Sequence, residues 1–261
     1  AGRAGSATPS FETFFNTKQN KYGCVSLPER YGGMLMPEIE VVDVKEQKRT
    51  KKMKSHFSVE LLDDITSALE KKEQAILFQN RRGFAPLLIC SVCAWTPRCK
   101  NCDVGMTYHK RADIMRCHYC GSMQKVLSSC PTCGSTALKI YGFGTEKIEE
   151  ELSIFFPDKT IARLDLDTTR SRNAYRQIIQ DFENQRIDIL VGTQMVTKGL
   201  DFDNVSTVGI LNADLMLNFP DFRSHERSYQ LMAQVSGRSG RKKKRGKVVI
   251  QTFQPQHRVI Q

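Results

Sequence analysis

The sequence is short of several things, and each shortage removes a class of protein. It has no run of 18 or more apolar residues, so nothing in it reads as a membrane span. Its opening residues, "AGRAGSATPS", lack the apolar stretch that a secretory signal needs. No Gly-x₄-Gly-Lys-Ser/Thr run occurs, which excludes the usual backbone cradle for nucleoside triphosphate phosphates. No Asp-Glu pair follows a buried apolar run, where it would hold magnesium. Acid is scarce as well: 28 Asp and Glu stand against 39 Lys and Arg, a formal charge of +11. That balance favours a polyanionic partner such as nucleic acid.

Cysteine is nearly missing outside one place. Eight of nine cysteines lie between Cys90 and Cys133, as four Cys-x-x-Cys units. Disulfide frameworks spread through small secreted chains, and this is a large chain without a signal. A Cys-x-x-Cys knuckle instead turns two thiolates toward one metal ion, and two knuckles complete a tetrahedral zinc site with no open position. The gaps between knuckles are five, fourteen and nine residues. Fourteen is close to the usual ribbon separation, and "DVGMTYHKRADIMR" can form a hairpin within it. This predicts a nested arrangement: Cys99, Cys102, Cys117 and Cys120 on one structural zinc, Cys90, Cys93, Cys130 and Cys133 on the other. Sequential pairing is the alternative. His109 and His118 lie nearby, but each site already has four sulfurs, so they read as surface or DNA-facing residues. Cys24 reads as a small buried residue.

On either side of this module, amphipathic helices alternate with short apolar strands. "SHFSVELLDDITSALEKK" puts Val59, Leu62, Ile65 and Leu69 on one face, with Ser58 placed to cap it. "QAILFQN" follows as a strand. "TEKIEEELSIFF" and "SRNAYRQIIQDFENQ" are helices, the second with Tyr175, Ile178, Ile179 and Phe182 facing inward. "SHERSYQLMAQV" is a third. "KTIARLDLD", "IDILVGTQ", "VSTVGIL" and "GKVVIQTF" are strands. Continuous apolar strands separated by helices predict an α/β fold, a parallel sheet covered on both faces. The cysteine module then interrupts this sheet after its first strand. Lys45 to Lys54 is dense in positive charge and reads as a solvated linker or DNA-facing strand, and Arg241 to Lys247 as a basic run that helps steer DNA or is merely exposed.

Two loops carry candidate chemistry. "VGTQMVTKGLDF" follows a buried strand, so it lies at a strand's carboxyl end, where α/β sheets bind ligands. "QVSGRSGRKKKR" closes a helix with Arg238 and Arg241 three residues apart, beside Gly237 and Gly240. The planar guanidinium suits phosphate oxygens. Alone this is a basic turn. With the Thr-x₄-Lys-Gly-x-Asp loop (Thr193, Lys198, Gly199, Asp201) upstream, the pair becomes specific.

Those two loops resemble motifs V and VI of superfamily 2 helicases. The eight-cysteine insertion narrows the resemblance to the bacterial replication-restart helicases of the PriA (primosomal protein N′) family. "SATPSFETF" at Ser6 is similar to motif III, and "LFQNRRGFAPLLIC" to motif IV. The resemblance covers nearly the whole chain. It implies a RecA-like second helicase lobe: residues 1–54 as the end of lobe 1 with a linker, 55–89 as the first part of lobe 2, 90–133 as the two-zinc insertion and 134–261 as the remainder. It implies an ATP-dependent DNA helicase moving 3′ to 5′ at abandoned forks, with ATP and Mg²⁺ as cofactors of the whole enzyme. The implied partners are forked and single-stranded DNA, primosome proteins and single-stranded DNA-binding protein, in the bacterial cytoplasm at the nucleoid.

Residue by residue, the resemblance implies that Arg238 and Arg241 reach the ATP γ-phosphate, with Arg241 the better arginine finger. Gln234 opens that motif. Gly199 and Asp201 approach the nucleotide, while Thr193, Gln194 and Lys198 track the DNA backbone or couple it to the nucleotide. Arg81 and Arg82 take a phosphate or interlobe role. Without a P-loop the chain reads as lobe 2 and its insertion cut from a longer enzyme, inactive toward ATP by itself. The competing reading is a zinc-ribbon module that grips nucleic acid or protein without ATP chemistry. The insertion itself carries Arg98, Lys100, Lys110, Arg111, Arg116 and Lys125 against two Asp. Trp95 and Tyr108 are candidates either to stack on an unpaired base or to cover the zinc sites.

Overall fold

The computed structural model describes residues 5–28, 35–80, 87–102, 104–109, 113–141, 143–169, 171–197, 202–240 and 245–261. The chain runs through α1 (Phe11–Lys18), β1 (Glu38–Asp43), α2 (Val44–Arg49), β2 (Met53–Lys54), β3 (Phe57–Ser58), α3 (Val59–Glu70) and β4 (Gln74–Phe78). The cysteine-rich stretch supplies β5 (Leu87–Cys90), β6 (Thr107–His109), β7 (Ile114–Arg116), β8 (Met123–Lys125) and β9 (Leu138–Tyr141). Then follow α4 (Thr145–Phe155), β10 (Ile161–Leu164), α5 (Arg172–Glu183), β11 (Ile189–Gly192), β12 (Val205–Ile210), α6 (Asp214–Leu217), α7 (Ser224–Ser236) and β13 (Lys247–Thr252).

Six strands form one sheet in the order β1-β13-β12-β4-β11-β10, parallel throughout. β4 lies inside it and is buried along its whole length. Its alternation divides the core: Ile76 and Phe78 pack with Ile179 and Phe182 of α5 and Met232 and Val235 of α7. Ala75 and Leu77 pack on the other face with Leu61 and Ile65 of α3 and Ile148 and Leu152 of α4. The two-sided burial predicted from the continuous apolar strands is thus present, with helices on both faces. The Ser58 hydroxyl accepts from the Leu61 N–H and caps α3 as expected. The buried face of α3 is turned slightly from the expected one. Leu61 and Ala68 join it, and Val59 sits at its margin.

Four expectations need correction. The segment read as linker supplies sheet structure. β1 pairs with β13 from Glu38↔Lys247 to Asp43↔Thr252, and α2 follows at once, capped by the Asp43 carboxylate on the Lys45 N–H. No break in the fold falls at residue 54, and the cysteine module follows the second strand of the sheet in chain order. β1 gives little signal in the sequence because it is an edge strand, acidic and mostly half-exposed, with no continuous apolar run. Lys247, read as part of an exposed basic run, is tied down by Glu40 at 2.8 Å and Asp64 at 3.0 Å. Cys24 is exposed, not buried.

The cysteine module stands on an antiparallel ribbon of β5 and β9, above a small antiparallel sheet of β6, β7 and β8. It is seated on the main domain through Asn218. Thr96 donates to the Asn218 side-chain oxygen at 3.1 Å, and the Asn218 amide donates to the Asp214 carbonyl at 3.0 Å. Gly105 lies so close that a Cβ there would sit 2.3 Å from the Asn218 carbonyl oxygen. That oxygen belongs to backbone and cannot swing away. Gly105→Ala is therefore expected to cost about 1–3 kcal/mol by overpacking. The variant should keep its metal content but exchange amide hydrogen faster at Asn218 to Phe222. Unchanged exchange there would show that the module is not seated through this contact.

Asp214 is buried beneath that seat, accepting from the Phe253 N–H at 2.8 Å and the Gln254 amide at 3.3 Å. Burial pushes its carboxyl up to about 6, from 3.8 in an unburied chain. The folded state thus holds this proton more tightly than the unfolded one. Its contribution to stability is full below 3.8 and is lost as pH rises toward about 6. Asp214→Asn removes the titration. Its stability relative to the native chain should rise by about 1–3 kcal/mol across that window and flatten by neutral pH. Parallel urea-unfolding profiles for the two proteins at acid and neutral pH would contradict this.

Candidate functional site

Four knuckles repeat one backbone device. The Cys90 N–H donates to the Trp95 carbonyl, Cys99 to Val104, Cys117 to Ser122 and Cys130 to Ser135, each at 2.8 Å. Three return through a left-handed residue: Ala94, Gly121 and Gly134 at φ 64°, 75° and 72°. These turns bring the sulfurs together in the nested grouping. Cys90, Cys93, Cys130 and Cys133 form one set and Cys99, Cys102, Cys117 and Cys120 the other, with all sulfurs of a set within 4.8 Å of one another. The sulfurs of Cys90 and Cys133 are 3.6 Å apart, those of Cys93 and Cys130 3.5 Å, and those of Cys99 and Cys120 3.6 Å. A tetrahedral zinc at about 2.3 Å from each sulfur requires about 3.7 Å between them. The donor set and its spacing fit two zinc ions, one per cluster.

The thiols are poised unevenly for such an ion. The Ser122 N–H aimed at Cys120 brings its pKa down to about 7. Cys130 also falls to about 7, against the opposing effect of its burial, through the N–H groups of Cys133 and Thr132. Burial pushes Cys93 up to about 12, and the crowding sulfur of Cys120 pushes Cys102 up to about 12. A dication within each cluster resolves this conflict by holding all four as thiolates. Tyr108 packs against the small core that includes Met106, Met115, Cys99 and Cys117, and its hydroxyl donates to Asp113 at 2.9 Å. Trp95 is half-buried beside the first.

The carboxyl edge of the sheet gathers part of the second candidate site. β11 ends at Gly192, and a single turn over Gln194–Val196 follows. The Gln194 amide donates to the Asn80 side chain at 3.1 Å, tying the loops after β11 and β4 together. Arg238 reaches across from the end of α7, and its guanidinium donates to the Thr197 carbonyl at 2.6 Å. Burial of this group pushes its pKa down from the ordinary arginine value. The Ser239 hydroxyl donates to the Ser206 carbonyl and the Gly240 N–H to the Val205 carbonyl, so the turn after α7 is anchored on β12. Arg238 therefore braces the loop that carries Thr193 and Gln194. Lys198, Gly199, Asp201, Arg81, Arg82 and Arg241 lie outside the described residues.

Gln234 faces the start of the chain. Its amide donates to the Thr8 hydroxyl at 3.2 Å, and Gln230 donates to the Thr8 and Pro9 carbonyls. Buried Glu226 accepts the Phe11 N–H at 2.9 Å at the start of α1, and Arg223 joins Glu226 to Glu12. Sequence reading missed Arg223, Glu226 and Asn218. Each is an ordinary polar residue with one partner that lies more than 100 positions away.

Comparison with known proteins accords with this arrangement. Residues 99–125 match the family model described as the PriA DNA helicase Cys-rich region (CRR) domain, and residues 136–243 match the helicase conserved C-terminal domain. The chain is 44% identical over 257 residues to the replication restart protein PriA of Bacillus subtilis, covering 98% of this chain and 32% of that protein. Against the PriA of Rickettsia prowazekii it is 43% identical, covering 96% of this chain and 38% of the relative. A solved structure of S. cerevisiae Dbp5 bound to RNA and ADP BeF3 is similar at 13% identity and a TM-score of 0.45, over 95% of this chain and 43% of that one. The chain spans about a third of the length of these curated relatives. With two Cys₄ clusters inserted into a parallel α/β sheet, and this level of identity along nearly its whole length, the chain belongs to the PriA family of replication restart proteins.

Proposed function

We propose that this chain forms the second motor lobe and the zinc module of an ATP-dependent DNA helicase that works 3′ to 5′ at stalled forks and starts primosome assembly. Lobe 2 takes in the sheet on both sides of the module, and the module spans 90–133. Support comes first from the Arg238 to Thr197 hydrogen bond, which joins the loop of motif VI, anchored at the start of β12, to that of motif V between β11 and β12. In this reading Arg241 meets the γ-phosphate of ATP, with Mg²⁺ held by the other lobe. Gly199, Asp201 and Gln234 lie toward the nucleotide. Thr193, Gln194, Lys198, Arg81 and Arg82 follow the DNA backbone. The module then serves DNA or protein partners, forked and single-stranded DNA, primosome proteins and single-stranded DNA-binding protein among them, in the bacterial cytoplasm at the nucleoid. No helix among the described residues is long and apolar enough to cross a membrane.

The division of labour is testable. The module and the two motif loops are built from different elements. In the full-length protein, Cys99→Ser with Cys102→Ser is expected to spare most single-strand-stimulated ATPase while unwinding of forked DNA and primosome assembly fall at least tenfold. Loss of ATPase in a variant whose main sheet stays folded would place the module inside the ATP engine and overturn this assignment.

A further inference from the structure

We propose that His109 and His118 form a third metal site on the outer surface of the cysteine module, suited to a divalent transition-metal ion. His109 ends β6, and His118 follows Cys117 just past β7. In the β6–β7 register His109 pairs with Ile114, and its imidazole and that of His118 approach each other through their Nε2 atoms. Their Nε2 atoms are 3.3 Å apart and their ring centroids 5.2 Å apart. Two imidazole nitrogens held at about 2.0–2.1 Å from one tetrahedral ion stand about 3.3–3.4 Å apart, with ring centroids about 5.2 Å apart. A straight N–H···N hydrogen bond of this length would put the centroids about 5.6 Å apart, and it would be longer than the usual range of about 2.7–3.2 Å. Both observed distances match the bite of a two-imidazole chelate.

The pair is independent of the two Cys₄ clusters, each of which already offers a complete set of four ligands. It is also held in place. The Tyr108 hydroxyl bonds Asp113 across the hairpin, and the Cys117 N–H bonds the Ser122 carbonyl in the knuckle that presents His118. His109 is half-buried and His118 exposed, so an ion here keeps open positions for water or an incoming oxygen or nitrogen donor. Imidazole suits zinc, copper and nickel, whereas calcium and magnesium prefer oxygen. With only two protein ligands this site fills after the thiolate clusters.

The test uses the 261-residue chain with both Cys₄ sites loaded and free metal removed. Titration with further Zn²⁺ by calorimetry should show one additional, weaker equivalent, and the Nε2 resonances of both histidines should shift together in ¹⁵N spectra. His109→Gln and His118→Gln should each abolish that equivalent while elemental analysis still finds both cysteine-bound zincs. Absence of an additional equivalent in the native chain, or its survival in the double variant, would overturn the proposal.

Discussion

Stripping both zinc ions with a strong chelator is expected to unfold residues 90–133 while the six-stranded sheet stays folded. Among the described residues of 90–133 the buried apolar side chains are few: Ala94, Val104, Met106 and Met115 with the cysteines themselves. Each valine or methionine side chain contributes about 1.5–3 kcal/mol. Thiolate–zinc sites contribute on the order of 10–16 kcal/mol apiece in small zinc domains, and they do so only in the folded state. The main sheet has its own two-sided core and depends on neither ion. Limited proteolysis should then cut between β5 and β9, and amide-exchange protection should collapse there alone. Cys90→Ser, which removes a fully buried ligand, should reproduce the loss at the first cluster. A chelated chain that resists protease as well as the loaded one would refute the metal-based account.

Arg241→Ala in the full-length protein is the second large effect. On the proposed function this residue reaches the phosphoryl group in flight, where an arginine finger is worth about 10³–10⁵ in rate. DNA-stimulated kcat should therefore fall by about three powers of ten or more, roughly 4 kcal/mol, with ATP affinity changed far less. Arg238→Ala should differ in kind. It removes a hydrogen bond to the Thr197 carbonyl, so it should loosen the loop carrying Thr193 and Gln194 and weaken DNA binding along with rate. The 261-residue chain alone should turn over no ATP, since its sequence holds no P-loop. Normal hydrolysis by the full-length Arg241→Ala protein would remove the finger assignment. Robust turnover by the isolated chain would show a phosphate site that the sequence does not announce.

Elements whose information is local are legible in the amino-acid order alone. The apolar runs of β4, β11, β12 and β13 are nearly continuous because both faces are covered, and the Ser58 cap sits beside the helix it starts. The edge strand β1 is hidden for the converse reason. It is covered mainly from one side, and its pairing with β13 joins residues some 200 positions apart. Tyr108 fits either stacking or cover by its sequence position; only the fold shows that it packs against the module's small core and bonds Asp113.

By itself, the sequence determined the chemistry available to this protein. Cys-x-x-Cys spacing commits a short, apolar-poor segment to metal, because ligand type and turn geometry are encoded within a few residues. The strand and helix periods commit the rest to a parallel α/β sheet. The tertiary structure decided which groups meet. It set Gly105 against the Asn218 carbonyl, Arg238 on the Thr197 carbonyl, Glu226 on the Phe11 N–H and His109 beside His118. These contacts depend on how separately formed elements pack. A short polar side chain carries no local signal of a partner that only the folded chain brings within about 3 Å.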